Sequence, residues 1–203
     1  MNPIEFHFDF VSPNAYVAHK LLPEIEGRTG RKFTYVPVLL GGIFKLTNNA
    51  SPFVAFEETR NKLDYIRLDF RRFLEKYGLR DFVPNPGFPM NTVKIMRGAI
   101  VAEKAGWFAA YADAMFHHMW ESPKQMDDPA IIREALDFSG LDADAILTGI
   151  EAQEIKDQLI ANTEASVAKG TFGAPTFYVG DEIFFGKDRL LDVEAEIEYQ
   201  GRQ

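Results

Sequence analysis

The hydrophobic pattern of this 203-residue chain changes period twice, and those two changes limit its architecture more than any single motif does. From Ile4 to Phe10 apolar and polar residues alternate, with Ile4, Phe6, Phe8 and Phe10 set against Glu5, His7 and Asp9. A period of two is that of a strand. Val11-Ser12-Pro13-Asn14 follows, with Ser12 suited to cap a helix and Pro13 to stand in its first turn. Ala15 to Glu26 reads as that helix, closed near Gly30, and Phe33 to Leu40 reads as a second strand rich in aromatic and β-branched residues. The spacing is that of a βαβ unit.

From Ile43 to about Lys169 the period becomes helical. Leu63, Ile66, Phe70, Phe73 and Leu74 make one apolar stripe, and Ile95, Ala99, Ala102 and Ala105 another. Ile131, Ala135 and Phe138 begin a third, behind Asp127 and Asp128 as capping residues. Loops interrupt at Asn48 to Pro52 and at Val83 to Pro89. The period then returns to two: Thr176 to Val179 and Ile183 to Phe185 flank Gly180-Asp181, a hairpin turn, and Asp188 precedes a last helix, Leu190 to Tyr199. The layout predicts an α/β chain with a thioredoxin-like fold and a large all-helical insertion. Residues 1–40 and 168–203 form the thioredoxin-like domain, and 41–167 the inserted helical domain.

Composition narrows the chemistry. With 22 basic and 30 acidic residues the net charge is −8, which repels nucleic acid and anionic membrane surfaces, so neither is expected as a partner. A small anion held by a helix N-terminus remains compatible with that field. The absence of cysteine removes disulfides, thiolate metal sites and cysteine nucleophiles, and it fits a reducing, cytoplasmic setting. No metal site is expected: His117 and His118 are adjacent on a helical pattern and point about 100° apart. The opening residues lack the form of a signal peptide, and no apolar run reaches transmembrane length.

Three motifs carry chemistry. Ser12 stands where a strand passes into a helix, at an end that favours an anion such as a thiolate; read alone, such a serine is more often a plain cap. In Phe172-Gly-Ala-Pro-Thr-Phe177 a proline enters a strand and removes a ladder donor. A cis Ala174-Pro175 bond would leave the groups of Ala174 free for an extended ligand, whereas a trans proline would be only a strand start. In Phe184-Phe-Gly-Lys-Asp-Arg-Leu190, Gly186 permits close backbone approach, and Asp188 is either an N-cap or a carboxylate for a ligand's α-amino end. Lys45, Asn49 and Asn91 are polar candidates in the loops.

Together these segments resemble the 2-hydroxychromene-2-carboxylate isomerases and the kappa-class glutathione transferases, relatives of the DsbA branch of thioredoxin-like proteins. The resemblance runs along essentially the whole chain. Phe8-Asp-Phe-Val-Ser-Pro-Asn-Ala-Tyr16 is similar to the N-terminal signature, with Ser12 at the catalytic serine. Gly41-Gly-Ile-Phe-Lys-Leu-Thr-Asn-Asn-Ala-Ser-Pro52 is similar to the loop opening the helical insertion, and Phe88-Pro-Met-Asn-Thr92 to the segment before the next helix. The family often has Gly where Asn48 stands and Pro where Ser51 stands, and the C-x-x-C of redox relatives is missing.

The resemblance implies a glutathione-dependent isomerase acting on 2-hydroxychromene-2-carboxylate or a similar aromatic α-keto acid in aromatic hydrocarbon catabolism, as a homodimer. Glutathione is the cofactor; Ser12, Asn49, Ala174, Pro175, Phe185, Gly186, Lys187 and Asp188 are the residues implied to bind it, Ser12 being also catalytic. Lys45 and Asn91 are implied for the substrate's carboxylate and keto oxygens. Thiolate addition, bond rotation and elimination would give the trans product. The alternatives are a kappa-class-like transferase that consumes glutathione and a non-catalytic glutathione-binding module.

Overall fold

In the computed structural model, which describes residues 2–202, the alternation of the first segment becomes β1 (Ile4–Phe8). Phe6 stacks between Phe8 and Phe177 with ring centroids 5.4 and 5.2 Å away. Each such buried ring contributes about 1.5–3 kcal/mol relative to an exposed one. The other face of β1 is also covered. His7 is buried and bridges Ser166 at 2.8 Å and Glu5 at 2.9 Å, so the polar half of the alternation meets polar partners and not water. Burial holds the His7 pKa below its ordinary value against the raising influence of Glu5.

α1 (Pro13–Thr29) follows, ending at Gly30 in the left-handed region, three residues beyond the expected Glu26. Then come β2 (Thr34–Pro37) and the helical stretch: α2 (Leu40–Thr47), α3 (Pro52–Ala55), α4 (Lys62–Lys76), α5 (Val93–Ala105), α6 (Phe108–Trp120), α7 (Pro129–Phe138), α8 (Ala143–Gly149) and α9 (Gln153–Ala168). The chain closes with β3 (Thr176–Val179), β4 (Glu182–Phe185), a 3-10 turn at Lys187–Arg189 and α10 (Leu190–Gly201). The strands form one sheet in the order β2-β1-β3-β4, with β1 parallel to β2 and the other pairs antiparallel. This is the thioredoxin-like arrangement with its helical insertion between β2 and β3.

Both early strands are shorter than the alternation suggested. β1 stops at Phe8, after which the Asp9 carbonyl accepts from the Ser12 amide; past Pro37 the Val38 amide still pairs with Phe8, but the Leu39 and Leu40 amides go to the Thr163 hydroxyl and the Asp9 carboxylate, and α2 starts three residues before Ile43. The stripe on α4 is only half-buried: Phe70, Phe73 and Leu74 pack on the margin of the core. Asp128 caps α7 as expected, accepting from Ala130 at 2.8 Å. No helix among the described residues is long and apolar enough to cross a membrane.

Candidate functional site

Ser12 is the N-cap of α1 and is 3% exposed. Its hydroxyl oxygen accepts from the Ala15 amide at 3.2 Å, and its proton goes to the Ala174 carbonyl at 2.9 Å. The strand-to-helix turn and the loop before Pro175 thus meet directly across 162 residues of sequence. The turn is held from several sides. The Phe10 carbonyl accepts from Trp120 Nε1 at 2.8 Å, and the Phe10 amide points at Met96 Sδ, 3.4 Å away. Pro13 has no N–H, and Asn14 stands in the first turn, where intrahelical acceptors are lacking.

The facing loop is shaped by packing. The Ala174-Pro175 bond is cis, the isomer that sequence alone left open. The Pro175 carbonyl accepts from the Gly186 amide at 2.9 Å, which joins the second motif to the third. A Cβ on Gly173 would come within 2.7 Å of the Phe185 ring, so only glycine lets that ring lie over the loop. Phe185 also packs on Phe172, ring centroids 4.5 Å apart, while remaining 44% exposed. Asn49 donates to the Phe172 carbonyl at 2.8 Å and so ties the loop after α2 to the same place. Asn48 before it has φ 52°, a conformation asparagine tolerates and glycine prefers.

The third motif divides. Gly186 has φ 91°, and the space where a side chain would stand beside it is open. The Lys187 side chain turns inward: its ammonium lies 2.7 Å from Asp188, 3.9 Å from Asp69 and 4.3 Å from the Phe73 ring centre. Asp188 lies exposed in the 3-10 turn and does not cap α10, whose flanking residue is Arg189. The hydrogen bond from Lys187 draws it away from the helix start. Lys45 is exposed on the last turn of α2. Asn91 is exposed and accepts from the Val93 amide at 3.0 Å, a helix-end role. Ser12, Ala174, Pro175, Phe185, Gly186 and Asn49 therefore form one chain of contacts, with Asp188 and Lys187 beside it; Lys45 and Asn91 stand at other helix ends.

A separate open depression, about 470 Å³, lies on the flank of α1 against α6, lined by His19, Lys20, Asp113, His117 and Glu121 among others. Its charges are satisfied among themselves. His19 bridges Tyr35 at 2.9 Å and Asp113 at 2.8 Å. Glu121 meets Tyr16 and Lys20 at 3.0 Å and His117 at 2.9 Å. Burial works against the Glu121 carboxylate, but those hydrogen bonds outweigh it and hold its pKa below the usual range. The free backbone N–H at the α1 start and the convergence of three motifs select the Ser12 turn over this depression.

Sequence reasoning missed two buried residues beside Ser12. Asp9 is 1% exposed and Thr92 is 5% exposed, and their side chains meet at 2.7 Å. The available signal was a carboxylate inside the aromatic run Phe8-Asp9-Phe10, which has to find donors once buried.

Comparison with known proteins agrees with the motifs. The chain is 27% identical over 195 residues to a 2-hydroxychromene-2-carboxylate isomerase of Pseudomonas putida, covering 95% of this chain and 92% of that protein. It is 24% identical over 201 residues to glutathione S-transferase kappa 1 of Caenorhabditis elegans, covering 92% and 87%. Its fold is similar to the solved structure of a selenomethionine 2-hydroxychromene-2-carboxylate isomerase, with a TM-score of 0.81, 26% identity and coverage of 98% and 96%. The isomerase expected from the motifs is the activity named for two of these three proteins. A model of the DsbA-like thioredoxin domain matches residues 3–198, and the chain belongs to that family.

Proposed function

We propose that this protein is a glutathione-dependent isomerase of 2-hydroxychromene-2-carboxylate or a closely similar aromatic α-keto acid. The observation that carries the reading is the Ser12 hydroxyl at the start of α1, 2.9 Å from the Ala174 carbonyl, in a chain without cysteine. The donor set suits a bound thiol: a hydroxyl and a helix N-terminus favour a thiolate, and neither can form a disulfide with it. When bound, glutathione would supply a nucleophile able to add reversibly to the conjugated double bond of the α-keto acid that opening of the chromene hemiketal releases, so that the bond can rotate before the thiolate is eliminated.

The chain's own groups do the rest. Ser12 turns its proton from Ala174 to the sulfur and stabilises its negative charge. Ala174, freed of Ser12, offers its backbone to an extended peptide, with Pro175 fixing the bend. Phe185, Gly186 and Asp188 grip the γ-glutamyl end, where the open space beside Gly186 admits backbone and Asp188 supplies a carboxylate for an ammonium. Lys187 sets the position of Asp188 by its hydrogen bond. Asn49 steadies the loop across the mouth, and Lys45 and Asn91 take the oxygens of the aromatic acid. In this reading the protein works as a cytoplasmic homodimer on intermediates of aromatic hydrocarbon breakdown, and residues 41–167 form the inserted helical domain beside the cleft that holds the thiol.

The test is to mix the protein, 2-hydroxychromene-2-carboxylate and glutathione, and to follow the ultraviolet spectrum together with free thiol. Isomerisation that needs glutathione and leaves the thiol concentration unchanged is the expected result. Loss of thiol in step with substrate would instead select a transferase of the kappa type, the second reading, which the similarity to the Caenorhabditis elegans protein favours.

A further inference from the structure

Asp9 has an unusual set of partners for a buried carboxylate, because they come from three places far apart in the sequence. Oδ1 accepts from the Val11 amide at 3.1 Å and from the Thr92 hydroxyl at 2.7 Å, and Oδ2 accepts from the Leu40 amide at 2.8 Å. The Asp9 carbonyl accepts from the Ser12 amide at 3.0 Å. Val11 adjoins Ser12. Leu40 is the first residue of α2, and Leu39 before it gives that helix no side-chain cap. Thr92 is the residue before α5 and gives its helix none either. One side chain therefore closes the Ser12 turn, supplies the acceptor that the start of α2 lacks, and holds the start of α5.

We propose that Asp9 is the positioning residue of this site, whose carboxylate sets the placement of Ser12, of α2 with Lys45 and Asn49, and of the Asn91-Thr92 segment relative to one another. The roles of those segments rest on the function proposed above; the connection itself rests only on the hydrogen bonds. A carboxylate has about four lone-pair sites on two oxygens, enough for three donors. The isosteric amide has one acceptor oxygen and two N–H groups, so in Asp9→Asn at least one of the three donors faces another donor. Burial is the largest influence on the Asp9 carboxyl and raises its pKa above the ordinary value, while the hydrogen bonds from Leu40, Thr92 and Val11 pull the other way. Asp9 spends its contacts on protein groups and acts through the residues that it holds.

The experiment compares the full-length wild type with Asp9→Asn, Thr92→Val and Thr92→Ser by hydrogen exchange and by steady-state kinetics on 2-hydroxychromene-2-carboxylate with glutathione. Asp9→Asn is expected to speed exchange together at Val11-Ser12, at the start of α2 and at the start of α5, leaving β3 and β4 at wild-type protection. It is expected to lower kcat about tenfold or more while changing the glutathione KM little, since a small displacement of a reacting group is costly. Thr92→Val should do the same more weakly, and Thr92→Ser, which keeps the hydroxyl, should restore the wild-type pattern. The pair at Thr92 decides the matter if Asp9→Asn does not fold. Exchange that rises evenly over the chain, or at one segment alone, or a folded variant with wild-type kcat, would overturn the proposal. An inactive wild type would instead remove the function proposed above, and the exchange pattern would still decide the role of Asp9.

Discussion

Helix α1 bears polar groups in two places, and they are built in opposite ways. At its N-terminus Ser12 is buried, uncharged, and bonded to backbone. Two turns further on, His19 and Lys20 face an open depression and meet Asp113 and Glu121, so that acid and base cancel. The depression holds charged groups paired with one another. The Ser12 turn holds a backbone carbonyl and a helix end, which can each accept a ligand in place of what they now face. Exchangeable partners are the ground on which the Ser12 turn is proposed as the site.

Substitution can break this contrast. The largest effect is expected at Ser12. Ser12→Ala should stay folded, at a cost of roughly 1 kcal/mol for the lost cap. One charge-assisted hydrogen bond to the thiolate is worth about 1.5–3 kcal/mol, so its loss should raise the pKa of bound glutathione by about one to two units and cut the reactive fraction near neutrality roughly ten- to a hundredfold. Ultraviolet titration of the bound thiol in both proteins checks this; coincident curves would reduce Ser12 to a cap.

A middle effect is expected at Asp188, exposed and shared with Lys187. Asp188→Ala should weaken glutathione about fivefold, the scale of an exposed ion pair, with turnover at saturation nearly unchanged, because the grip is on a part of the ligand that does not react. Isothermal titration alongside saturation kinetics separates the two quantities. The smallest effect is expected on the flank. Asp113→Asn removes the negative charge from the partner of His19, a side chain that is 74% exposed, and turnover should stay within about twofold of wild type. A tenfold fall there would move the working site to that depression.

The sequence made the site legible where its motifs are local. Ser12-Pro13 reads as a helix start because cap and first turn are neighbours, and Gly173-Ala-Pro-Thr176 marks a proline at a strand entry, though not which isomer it takes. What escaped was set by distance along the chain. Two of the three partners of the Asp9 carboxylate lie 31 and 83 residues away, and no pattern near Asp9 names them. The inward turn of Lys187 depends on Phe73 and Asp69 in α4, a helix that sequence could place but not orient. Strand ends were misjudged for the same reason: Phe10 keeps the alternation, but its amide and carbonyl are taken by Met96 and Trp120 from the helical segment.

A hydroxyl has a single proton to give, and in this fold Ala174 already holds that of Ser12. Any guest at the site must outbid a carbonyl for it. A neutral thiol is a poor acceptor and will not, whereas an anion will. On the proposed function the contact would therefore discriminate by charge: it would withhold the Ser12 proton from a protonated thiol and yield it to the thiolate.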